Sequence, residues 1–201
     1  MITEENGVFH IRTDTYSYLF KIDAYGLPEH LHFGAPVKTR DAGALSCRPG
    51  LGWGASILLD PKDTASCPDV LPLEWSGSGR GDYRESPLEL AGEPADFRYT
   101  GYKIHEGGVS MACGLPQAHD ARETLEITLS QPGAELTLFY TAFPTAIVRR
   151  TVLTNTGDKP LRLNKLMSSC VDLPGSYTMA TFNGGWIAEM RRCDTPVGVS
   201  K

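Results

Sequence analysis

The residues best suited to chemistry cluster between positions 53 and 86. Asp60, Asp63, Asp69, Glu74, Asp82 and Glu85 offer carboxylates, Arg80 and Arg84 offer guanidinium groups, and Trp53, Trp75 and Tyr83 offer flat apolar rings. Paired carboxylates serve glycoside hydrolysis, but their pairing is set by folding rather than by sequence spacing, so the pattern neither supports nor excludes it. Rings interleaved with charged groups also suit carbohydrate. A sugar stacks its apolar face on Trp or Tyr, while its hydroxyls bond Asp, Glu, Arg and Asn. Trp53, Trp75, Tyr83 and Trp186 stand among Asp60, Asp82, Arg84 and Asn183 in this way. The same tryptophans would also fill a core, and composition leaves both readings open.

Other chemistries fit less well. The stretch "GSGRGDYRESP" (77–87) resembles a phosphate loop in its glycines. However, Asp82 stands where the last glycine of such a loop belongs, an aspartate repels phosphate, and Pro87 follows in place of a helix. Its Arg80-Gly81-Asp82 tripeptide matches an adhesion signal, and nothing else here reads as extracellular. His30 and His32, two apart on a strand, would share one face and could hold a metal, but a third ligand is not at hand. No G-x-S-x-G elbow marks a nucleophilic serine. Five cysteines, odd in number and widely spaced without a C-x-x-C pair, suit a reducing compartment and no structural zinc.

The elements that must position these residues read as strands. Alternation of period two is frequent and helical periodicity is nearly absent. "VFHIR" (8–12), "YSYLFKI" (16–22), "HLHFG" (30–34), "FRYTGYKIHEG" (97–107), "ETLEITLS" (123–130), "AELTLFYTAF" (134–143), "AIVRRTVLTN" (146–155), "LRLNKLMSSC" (161–170), "YTMATF" (177–182) and "WIAEM" (186–190) are the candidates. The strand at 134–143 is apolar on both faces and therefore central. It should form an antiparallel meander with the two strands that follow it. Many short strands separated by turn signals predict an all-β antiparallel β-sandwich with very little helix. Residues 35–95 are dense in glycine and proline and form a long irregular segment, which is usually functional. The chain closes on "DTPVGVSK" with no clear final strand and reads as a fragment.

At 201 residues the length suits one domain or one large sandwich. A net charge of −5 argues against nucleic acid and anionic membrane surfaces as partners, and no apolar run reaches membrane-spanning length. The acidic start "MITEENGVFHIR" lacks an apolar signal core, so the expected location is the cytoplasm.

Seven segments in order carry a family resemblance: "HLHFG" (30–34), "GRGDYRESP" (79–87), "GYKIHEG" (101–107), "GLP" (114–116), "ETLEITL" (123–129), "DLP" (172–174) and "GGW" (184–186). The set resembles the N-terminal domain of the family 36 glycoside hydrolases, the microbial α-galactosidases. That resemblance implies a β-supersandwich spanning residues 1–201, incomplete at its end. It also implies a role in a retaining enzyme that cleaves terminal α-galactosides such as melibiose and raffinose. The catalytic aspartates of that family lie in a (β/α)₈ barrel absent here, so no catalytic residue is expected in this chain, nor any cofactor or metal. The domain would pack on the barrel, build a homo-oligomer and lend a loop to a neighbour's sugar site. Trp53 and Asp60 in the irregular segment and Trp186 in "GGW" are the expected sugar contacts. Gly79, Asp82, Tyr83 and Arg84 are the structural signature: glycines permit a tight backbone path, Asp82 and Arg84 bond their surroundings, and Tyr83 packs between strands. A free-standing carbohydrate-binding module and a purely structural oligomerisation domain are the alternatives.

Overall fold

In the computed structural model, the described residues are 1–46, 48, 58–80, 82, 84–110, 114, 117–172 and 175–198. Trp53 and Tyr83 lie outside them. The chain divides into two compact units, Met1–Val171 and Asp172–Lys201.

The first unit is built on two antiparallel four-stranded sheets. One runs β1 (Ile2–Glu5), β2 (Val8–Arg12), β3 (Ser17–Ile22), β4 (Pro28–Gly34) in that order. The other runs β6 (Arg98–Glu106), β7 (Glu123–Gln131), β8 (Ala134–Ala142), β9 (Ile147–Asn155). Alternation explains how they meet. Leu125, Ile127 and Leu129 of β7 and Leu136, Leu138 and Tyr140 of β8 share a core with Phe9, Ile11, Tyr18 and Phe20 of the first sheet. Burying each such side chain contributes about 1.5–3 kcal/mol. Phe20 stacks on Phe9 and Tyr140 at centroid distances of 5.0 and 5.2 Å. On the outer face of β8, Phe139 is covered by the guanidinium of Arg150 at 4.2 Å. This is the all-β sandwich that the period-two pattern predicts, and β8 is an inner strand, between β7 and β9.

Four expectations are corrected. The strand expected at 161–170 shortens to β10 (Leu163–Leu166) and leaves the meander, pairing with β5 (Leu88–Leu90) instead of β9. Alternation tells which face a residue takes but not which strand lies beside it. His30 and His32 do not share a face, because a bulge between the Leu19 and Phe20 pairs turns β4 over between them. His30 therefore follows Phe20 into the sandwich, while His32 follows Leu19 to the other side. The segment 186–190 is not a strand. It is the turn between β11 (Tyr177–Asn183) and β12 (Arg191–Val197), with Ile187 and Met190 at positive φ. The tail also contains a strand: β12 pairs with β11 over seven residues.

The segment 35–95 carries short elements: a 3₁₀ turn Thr39–Asp41, a single helical turn Ala42–Leu45, a 3₁₀ turn Ser78–Arg80 and β5. Its middle runs along the first sheet. His30 N donates to Pro72 O at 2.7 Å and Glu74 N to Pro28 O at 2.8 Å, with an antiparallel bridge between Glu29 and Leu73.

Candidate functional site

That pairing aims Glu74 inward, between the two sheets, with its side chain 1 % exposed. Tyr18 Oη lies 2.8 Å from both carboxylate oxygens and donates to them. His30 Nδ1–H donates to Oε1 at 2.7 Å, and Tyr140 Oη donates to Oε2 at 2.8 Å. Arg149, from β9, closes the cluster with an ion pair at 3.2 Å and a bond from its Nη2 to the Glu74 carbonyl at 3.1 Å. Burial alone pushes the Glu74 carboxyl up, but Arg149, His30 and Tyr140 outweigh it and hold the group below its ordinary value. Burial, reinforced by the Glu74 charge, pushes both phenols well above theirs. Both oxygens of Glu74 are fully engaged by protein groups. The cluster is a five-residue cross-link between the sheets, with no acceptor left over for a substrate.

The signature segment is built the same way. Asp82 is buried and accepts from Ser76 Oγ, from Arg84 N at 3.1 Å, and from Arg84 Nε and Nη2 at 3.0 and 2.9 Å. Arg84 Nη2 also reaches Pro68 O at 2.9 Å. Gly79 donates its N–H to Ala95 O at 3.0 Å. A Cβ on Gly79 would stand 2.7 Å from Asp96 Cβ and 2.9 Å from Ala95 O, which is why the position requires glycine. Asp82 and Arg84 thus bond each other and their own loop.

The expected sugar contacts are placed as follows. Asp60 is half-buried at a turn, where its Oδ1 accepts Lys62 N at 2.8 Å and its carbonyl accepts Asp63 N at 2.9 Å. Trp53 belongs to the same segment but lies outside the described residues. Trp186 sits in the β11–β12 turn of the second unit, 91 % exposed. A cleft of about 120 Å³ opens beside β8 and β9, lined by Val109, Ala118, Thr141, Phe143, Val148 and Arg150 among others; Asp60 does not line it.

Sequence reasoning counts Glu74 among the available carboxylates without its cross-linking role, and misses Arg149 and a second buried carboxylate, Glu29. The available signal was a charged residue inside an apolar run, "VLPLEWSG" at 70–77, since an isolated buried carboxylate demands partners.

Residues 26–201 match the family described as the glycosyl hydrolase family 36 N-terminal domain. The chain belongs to this family. Among relatives of this N-terminal domain, alpha-galactosidase AgaA of Geobacillus stearothermophilus is 31% identical over 191 residues, covering 89% of the chain and 26% of the relative. Alpha-galactosidase Mel36A of Lactobacillus acidophilus is 29% identical, with 94% and 27% covered. Among solved structures, alpha-galactosidase AgaB of Geobacillus stearothermophilus superimposes with a TM-score of 0.85 at 28% identity, covering 98% of this chain and 28% of that one. A variant of AgaA in complex with raffinose gives 0.85 at 29% identity, with 95% and 28% covered. The chain therefore spans about a quarter of the length of the relatives it matches.

Proposed function

We propose that this chain is the N-terminal, non-catalytic β-sandwich domain of a retaining α-galactosidase acting on sugars such as melibiose or raffinose. The family resemblance implies a catalytic barrel outside this domain, and the chain spans about a quarter of the length of its relatives. The domain packs on that barrel, builds a homo-oligomer, and presents the segment carrying Trp53 and Asp60, with Trp186, to the sugar site. The enzyme works in the cytoplasm, a reading supported by the odd count and wide spacing of the cysteines. The observation that carries the proposal is the match of residues 26–201 to the family domain, together with the superposition of nearly the whole chain on about a quarter of a solved α-galactosidase.

Its test has two halves. The purified 201-residue chain should give no turnover of a chromogenic α-galactoside, and turnover would refute the non-catalytic assignment. In the α-galactosidase that carries this chain, Trp53→Ala and Asp60→Ala should raise KM by about tenfold, since an aromatic or hydrogen-bond contact to a sugar is worth roughly 1–2 kcal/mol. The exposed ring of Trp186 favours a second reading, a carbohydrate-binding module that works alone. Calorimetry separates the two, because only the module binds millimolar galactoside without the rest of the enzyme.

A further inference from the structure

Arg48 and Ser66 bracket the segment that carries Trp53 and Asp60, and the two residues meet. Arg48 Nη1 donates to Ser66 Oγ at 3.0 Å. The other arm of the same guanidinium, Nη2, reaches Oε2 of Glu29 at 2.6 Å. Glu29 stands on β4 with its side chain wholly buried. Lys21 of β3 completes the knot: its Nζ lies 3.5 Å from Glu29 and donates at 2.8 Å to Ser46 Oγ, which donates to Glu29 Oε1 at 3.1 Å. The far side of the neck is tied as well. Asp63 Oδ1 accepts the amides of Ala65 and Ser66 at 3.0 and 3.2 Å, and its Oδ2 accepts Tyr25 Oη at 2.9 Å.

Desolvating Glu29 is costly unless both oxygens are paired, and here they are paired by Arg48 and Ser46 at the near end of the segment and by Lys21 of β3, while Arg48 alone carries the link on to Ser66 at the far end. The single planar fork of Arg48 holds both ends at a fixed spacing, which a lysine point charge does less well. Holding the ends together removes conformations that a ligand would otherwise have to freeze out on binding.

We propose that Glu29 and Arg48 are positioning residues for sugar binding, acting as a clasp that pre-orders the loop bearing Asp60. The proposal rests on the reading above that this loop contacts sugar. The clasp is tested first on the full chain by hydrogen exchange. Arg48→Ala should speed exchange of the amides at 59–66 by about tenfold or more, with amides of β7 and β8 within about twofold of wild type. Arg48→Lys should restore part of the protection. Glu29→Gln, which keeps the shape and removes the charge, should reproduce the local effect if Arg48→Ala folds poorly. Equal acceleration in β7 and β8, or none at 59–66, overturns the clasp. The sugar role is tested on the α-galactosidase that carries this chain. Arg48→Ala should raise KM about tenfold with kcat within about twofold, the pattern of lost uniform binding. Unchanged KM in Arg48→Ala, where Asp60→Ala does raise it, overturns the positioning role. If neither Asp60→Ala nor Trp53→Ala moves KM, the sugar reading of the loop fails and the positioning role with it, while the exchange result still reports on the clasp.

Discussion

Glu74 has five bonding or ion-pair contacts to its carboxylate, drawn from β3, β4, β8 and β9. Removing it strands the buried guanidinium of Arg149, and an unpaired buried charge costs far more than the pair contributes. Glu74→Ala should therefore destabilise the chain by about 3–5 kcal/mol in urea denaturation. The double replacement Glu74→Leu with Arg149→Met should recover the part owed to the unpaired guanidinium but not all of the loss, because Tyr18, His30 and Tyr140 still lose their acceptor. If the double variant is as unstable as the two single losses summed, Glu74 and Arg149 are not energetically coupled. None of this partnership was legible in the sequence. Tyr18, His30, Tyr140 and Arg149 stand 44 to 75 positions away from Glu74, and neither propensity nor spacing links residues so far apart. Asp82 and Arg84 were legible because they lie two residues apart in one loop.

Among the elements, β7 follows the alternation of its sequence closely, since Leu125, Ile127 and Leu129 share its core face. The elements that escaped lack that asymmetry. β12 reads "RRCDTPV", exposed along its whole length, and only its seven-residue pairing with β11 makes it a strand. The apolar run "WIAEM" looked like a strand because periodicity does not register backbone angles, and two of its residues adopt positive φ. β1 went unread although Asn6-Gly7, both at positive φ, form the turn that joins it to β2. The 3₁₀ turn Ser78–Arg80 also belongs at this scale, because its fit against Ala95–Asp96 depends on a missing side chain. Gly79→Ala must push the turn off that neighbour and should cost about 1–3 kcal/mol, read as a lowered urea midpoint with an unchanged slope. Gly43→Ala, where nothing lies within 4 Å of the added Cβ, is the matched control and should be near neutral.

For the whole molecule, His10 sets the pH response. It is fully buried on β2, with Nδ1 2.9 Å from Thr39 Oγ1 and Nε2 2.9 Å from Ser17 Oγ. Burial first, then the charges of Arg12 and His32, lower its pKa to about 4. In the unfolded chain the same group titrates near 6.5. Between those values the unfolded state holds the extra proton, so stability is intact above the higher value and falls as the pH drops toward the lower one. The expected slope approaches about 1.4 kcal/mol per pH unit inside that window. His10→Gln should be less stable at neutral pH but markedly flatter, as urea titrations at about pH 7, 6 and 5 would reveal. Equal slopes for both proteins would contradict the assignment. Glu74 acts in a separate window. Its depressed carboxyl contributes stability above its ordinary value of 4.5, and that contribution is lost as pH falls through the native value.

The cross-link at Glu74 also bears on the order of events in folding. Its hydroxyl partners close loops of 56 and 66 residues, and Arg149 reaches back 75. Closing such loops early is entropically expensive, and a carboxylate gains nothing from leaving water until all its donors have arrived. The hairpins of each sheet can form from near neighbours, whereas the ion cluster can assemble only when both sheets are already face to face. It is therefore the last bolt of the sandwich rather than its nucleus. A change there would shorten the lifetime of the folded chain while leaving the rate at which it folds almost untouched.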